Sequence, residues 1–140
     1  MYAYRMLITT LMVAGAAVTS ARSIAPRQFL QDGLACNIAR LKIVGALGDT
    51  EDSIGQIQDT AVQNAATTGL QKAQGGVKTI AKAIVAGDAP PAAARDQVEA
   101  GLTAMGNALS GADTSDQAVV DAQESLDDAT QAGQDVVSEC

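Results

Sequence analysis

Two thiols and a row of carboxylates are the residues of this 140-residue chain whose types and spacing could do chemistry. Cys36 and Cys140 are its only cysteines, and histidine is absent. A thiol pair serves as a redox couple, as half of a zinc site or as a structural disulfide. The first reading lacks a Cys-x-x-Cys pair and the second lacks histidine, so a disulfide is expected. The carboxylates Asp121, Glu124, Asp128 and Asp135, with Gln131 among them, recur at steps of three and four. That spacing puts them on one face of a helix, where they could meet a basic partner protein. It does not make a calcium loop, because Asp113-Thr114-Ser115-Asp116 lacks the following ligands and the glycine of such a loop. No nucleophile stands beside a base, no carboxylate pair sits in a recognisable motif and no glycine-rich phosphate loop is visible. The sequence therefore points away from an enzyme, with no catalytic residue, cofactor or metal.

Charge narrows the partners further. Formal net charge is −7. Residues 22–87 hold seven basic and five acidic groups, whereas residues 88–140 hold one basic group, Arg95, against eleven acids. That acidity disfavours nucleic acid. It serves solubility and attraction between the two halves of the chain.

The positioning elements follow from periodicity. Residues 1–21 join a short basic start, an apolar run from Met6 to Val18 and the small residues Thr19, Ser20 and Ala21, the layout of a secretory signal peptide that is removed. The run is too short to span a bilayer, and no second one follows, so no transmembrane segment is expected after cleavage. Residues 22–28 read as a flexible lead and 29–140 as one helical domain. With Phe29 as the domain's one aromatic residue, the core must be built from Ile, Leu, Val, Met and alanine, which suits close-packed helices.

Four helices are predicted. The first runs from Arg27 or Gln28 to Leu47, with Leu30, Leu34, Ile38, Leu41, Val44 and Leu47 as its core stripe and Gly48 as its stop. Cys36 lies off the centre of that stripe. Asp49-Thr50-Glu51-Asp52 reads as the cap of the second helix, which carries Ile54, Ile57, Ala61, Ala65, Thr68 or Gly69, Ala73, Val77, Ile80 and Ile84. Gly75-Gly76 inside it leaves a kink, a break or a close crossing open, since each glycine costs about 1 kcal/mol there. The segment from Gly87 to Pro91 ends that helix. The third runs to Ser110 with Ala94, Val98, Leu102, Met105 and Leu109 inward. The fourth is capped by Thr114, with Gln117 reaching back, and carries the seam Val119, Ala122, Leu126, Ala129, Gly133 and Val136. Short connections imply an up-and-down antiparallel four-helix bundle. In that topology the end of the fourth helix lies near the beginning of the first, which brings Cys140 to Cys36. A bond there closes a loop of 105 residues, worth about 4 to 5 kcal/mol in the chain-entropy model. Secretion would place the pair in an oxidising compartment.

The stretch from Ala35 to Lys42, the Ala/Thr-rich second helix, the stretch from Ile84 to Pro91 and the terminal Cys140 resemble small secreted helical proteins of filamentous fungi, of the hydrophobic-surface-binding and cell-wall mannoprotein type. Plant pectin methylesterase inhibitors are also secreted, disulfide-linked four-helix bundles, but carry more cysteines. The fungal resemblance implies a non-enzymatic secreted protein of the cell wall or cell surface that binds a hydrophobic surface, a lipid or a wall polymer through amphipathic helices. The alternative is a secreted effector or inhibitor that binds a host protein through the acidic face Asp121, Glu124, Asp128 and Asp135.

Overall fold

Residues 26–140 are described by the computed structural model, and side-chain surroundings from Gly33 onward. The expected signal peptide and most of the expected lead lie outside the described residues. Four helices follow one another: α1 Pro26–Ile54, α2 Thr60–Ala86, α3 Ala92–Ser110 and α4 Gln117–Glu139. No strand occurs among the described residues. The expected four-helix bundle is correct, and Cys36 is bonded to Cys140 with their Cα atoms 5.0 Å apart.

Helix contacts concentrate in two antiparallel pairs, α2 with α3 and α1 with α4. The α2–α3 pair depends on glycine. A Cβ at Gly101 would lie 2.5 Å from the Ala73 nitrogen and 2.7 Å from the Gly69 carbonyl oxygen, and one at Gly76 would lie 2.6 Å from the Ala94 carbonyl oxygen. These backbones approach more closely than any side chain permits. Gly75 leaves room beside it for the Gln97 side chain, whose Nε2 donates to the Lys72 carbonyl at 3.1 Å. Of the three readings open at Gly75-Gly76, the structure takes the close crossing, and α2 is unbroken. It ends where expected. Gly87 adopts φ 80°, and the Asp88 amide donates to the Ala83 carbonyl at 2.8 Å, which closes the turn.

The first connection differs from the expectation. Helix α1 does not stop at Gly48 but continues two turns, so the segment from Asp49 to Asp52 lies inside it and caps nothing. Burial explains the extension. Thr50 and Ile54 are enclosed in the core, and the Thr50 hydroxyl donates to the Ala46 carbonyl at 2.7 Å. Enclosing two such side chains outweighs the ~1 kcal/mol that a helical glycine costs. The Gln63 side chain donates to the Ile54 and Gly55 carbonyls at 3.2 and 3.0 Å, satisfying the end of α1. The true cap of α2 is Asp59, whose Oδ1 accepts from the Ala61 and Val62 amides. Within α2, Gly69, Ala73, Val77 and Ile80 lie inward as expected, whereas Ala61 and Ala65 are exposed and Ala66, Leu70 and Gly76 are buried in addition.

The fourth helix also starts later than expected. Asp116, not Thr114, is its cap and accepts from the Ala118 amide. Gln117 donates forward to Asp121 at 2.8 Å instead of reaching back. Its seam is correct in the part that meets the core, where Val119, Ala122, Leu126 and Ala129 are buried. The predicted stripe of α3 is likewise inward, apart from a partly buried Leu102.

Candidate functional site

Helix α1 carries the largest departure from the sequence reading. Leu34, Ile38, Leu41 and Val44, expected in the core, are among the exposed large hydrophobic residues, at 60, 46, 72 and 53%. The core is lined by Cys36, Ala39, Ile43, Ala46, Leu47 and Ile54. At ~100° per residue these two sets lie about half a turn apart. Both faces of the helix are apolar, and α4 takes the one built from smaller side chains. Alanine and cysteine on that face permit close approach, as where the Cα atoms of Cys36 and Cys140 stand 5.0 Å apart. The outward set resembles a core stripe because its residues are bulkier. The signal that could have corrected this was Cys36, since a disulfide to the last helix fixes which face of α1 meets it.

On the outward face, Leu34, Ile38, Leu41, Gly45 and Gly48 fall within an arc of about 80°, with Val44 about 40° to one side. Arg40 borders the stripe on the Val44 side and Lys42 on the other. Lys42 is 3.9 Å from Asp135 of α4, with both side chains partly open to solvent. Nothing among the described residues lies within 4 Å of where a Cβ would stand on Gly33, Gly45 or Gly48.

The structure brings the expected acidic residues onto one helix face. Asp121, Glu124 and Asp128 are exposed and Asp135 is half-buried. Asp121 accepts from Gln117 and Asp135 from Gln131. Lys42–Asp135 is the one ion pair among the described residues. Asp127, which the sequence reading left out, is exposed beside them.

A third cluster stands where the two interhelix turns meet. Asp59, Asp113 and Asp116 line a shallow concavity of about 420 Å³, together with Gln58 and Ser115. Each carboxylate is engaged by backbone amides: Asp59 and Asp116 cap helices, and Asp113 accepts from the Ser115 amide at 2.9 Å. That hydrogen bond, and a second one to the Ser115 side chain, hold the Asp113 carboxyl below its usual range. Among the described residues no group of three or more His, Cys, Asp or Glu could hold a metal ion. No helix among them is long and apolar enough to cross a membrane.

Comparison with protein-family models, with curated proteins and with solved structures finds no match to this chain.

Proposed function

We propose that the protein is a non-enzymatic secreted protein of the cell wall or cell surface that binds a hydrophobic surface, a lipid or a wall polymer through the outward face of α1. The observation that carries this reading is the row Leu34, Ile38, Leu41 and Val44, which stands in water on a helix whose other face is already packed. A contiguous apolar row on the outside of a small domain marks a contact surface, and an amphipathic helix bordered by basic residues is a common way to lie on an apolar interface. The disulfide is consistent with an extracellular protein. Hydrophobic beads and lipid vesicles test the proposal. The protein is retained on at least one of them, and Leu34→Glu with Leu41→Glu abolishes retention while helicity persists. Passage of the folded protein through both would sink the surface and lipid versions, leaving the wall polymer to a pull-down on purified wall polysaccharide.

A second reading is supported by the exposed carboxylates of α4. Glu124 and Asp128 have no cationic partner among the described residues, so they are available to a basic partner protein. On this reading the protein is an effector or inhibitor. A stoichiometric host-protein complex lost on neutralising Asp121, Glu124 and Asp128 would favour it over surface binding.

A further inference from the structure

Three helical glycines of this chain mark close helix crossings. Gly69, Gly76 and Gly101 each stand where a Cβ would meet another backbone within 3 Å. Gly45 and Gly48 differ, as Gly33 does, because nothing among the described residues comes within 4 Å of a Cβ there, and each costs α1 about 1 kcal/mol relative to alanine. They lie on the same outward face as Leu41 and Val44, and so form a notch with apolar knobs one turn away. A flat surface does not need a notch. A second helix does.

The charges beside this face say which helix. Arg40 and Glu51 lie on one flank of it, and Lys42 and Asp49 on the other, at ~100° per residue. When two antiparallel copies of α1 face each other across a two-fold axis, each flank meets the same flank of its mate. With the axis between Gly45 and Ala46, Arg40 comes level with Glu51 of the second copy and Lys42 level with Asp49. Both flanks are satisfied by one register, and Leu41 and Val44 then lie over the Gly45 and Gly48 notch. Glu51 already accepts from Gln74 at 2.7 Å, which orders its carboxylate at the edge of the face. Lys42 is 62% exposed and pairs with Asp135 of α4 only at 3.9 Å, so Asp49 of a second copy would share it with Asp135.

We infer that the outward face of α1 binds a second copy of this chain, as an antiparallel two-fold dimer centred between Gly45 and Ala46. The inference does not rest on surface binding, and it adds a control on it, because the dimer covers the row that a surface would contact. One helix against one helix is a small interface, so association is expected at roughly micromolar concentrations.

Sedimentation equilibrium of the purified protein tests it, with thermal melting as the control for folding. The protein associates to dimers. Gly48→Leu fills the notch where no described residue lies within 4 Å of its Cβ, so it weakens the dimer by roughly tenfold or more while melting no earlier than the parent. Arg40→Glu weakens association, and adding Glu51→Arg restores it, because each copy then carries the exchanged pair. Lys42→Glu with Asp49→Lys repeats the exchange on the other flank and stands in if the first pair perturbs folding. A protein that stays monomeric to about millimolar concentration, a dimer indifferent to Gly48→Leu, or charge exchanges that fail on both flanks would each overturn the inference. Retention on beads by a strictly monomeric protein overturns the dimer and leaves the surface reading. A dimer without retention on beads or vesicles does the reverse.

Discussion

Asp116 accepts a hydrogen bond from the Gln58 amide at 2.9 Å through Oδ2 while its Oδ1 caps α4 at the Ala118 amide. One carboxylate thus starts the last helix and ties the turn between α3 and α4 to the turn between α1 and α2. The two helix pairs have few other polar ties. Glu51 to Gln74, Gln63 to the end of α1 and Gln123 to the Leu109 carbonyl all bridge them by amide side chains.

Loss of this carboxylate is therefore expected to loosen the junction between the pairs as well as the start of α4. Asp116→Ala should cost about 1.5 to 3 kcal/mol, the sum of a lost cap and a lost charge-assisted hydrogen bond. Asp59→Ala, which removes a cap alone, should cost about 1 kcal/mol. Chemical denaturation of both variants checks the order, and an equal loss would show that the bond to Gln58 contributes nothing.

The glycines divide into two classes with opposite expected signs. Gly101→Ala drives a methyl into the Gly69 and Ala73 backbone, and overpacking of about 1 to 3 kcal/mol exceeds the helix-propensity gain. Gly33→Ala meets nothing within 4 Å among the described residues and should raise stability by about 0.5 to 1 kcal/mol. Gly87→Ala strains a left-handed cap and should cost about 1 kcal/mol. Melting temperatures of the three variants test the assignment. A stabilising Gly101→Ala would mean that α2 and α3 can part without loss.

These contrasts also mark what was legible in the sequence. The seam of α4, the inward face of α3 and the stop at Gly87 follow from periodicity and from turn residues, because each has one apolar face and one strong terminator. Helix α1 departs from its sequence pattern for a physical reason. It has two apolar faces, and ranking them by bulk selects Leu34, Ile38 and Leu41 over the smaller Cys36, Ala39 and Ala46 that α4 can approach. The α1–α2 boundary is hidden in the sequence because Gly48 and the acids after it look like a stop and a start. Only the burial of Thr50 and Ile54, a tertiary effect, carries the helix past them. The acidic face was found because exposure and spacing are local. The outward row of α1 could not be identified as a surface until the fold showed which face α4 had taken.

Acid should act weakly through Asp113. Its carboxyl is held below the usual range by hydrogen bonds from Ser115, so the ionised form is favoured in the folded state. The stability it contributes is present above the ordinary carboxylate pKa and is lost as pH falls through the lowered folded value. Asp113→Asn removes that contribution, and the variant should differ from the parent near neutrality but converge with it in strong acid. Parallel denaturation curves across that range, without convergence, would assign the effect to another carboxylate.

The bond between Cys36 and Cys140 joins two helices that are already packed side by side. Its effect should therefore appear mainly through the unfolded chain. Closing a loop across a sequence separation of 104 restricts that ensemble by about 4 to 5 kcal/mol in the entropy model. Leu126→Ala opens a cavity beneath a buried side chain, and such changes cost about 2 to 5 kcal/mol. That loss falls in the lower part of its range because alanines at 122 and 129 flank the site on the α4 seam and leave fewer partners to lose. Cys140→Ser should lower the melting temperature more than Leu126→Ala, and reduction of the parent should reproduce the Cys140→Ser value. The outward face of α1 gives a second readout. Cys36 sits on the opposite face, so dimer formation in the folded Cys140→Ser protein should persist at temperatures well below its melting point. If Leu126→Ala proves the more damaging change, the packed seam of α4 holds α1 more firmly than the covalent link does.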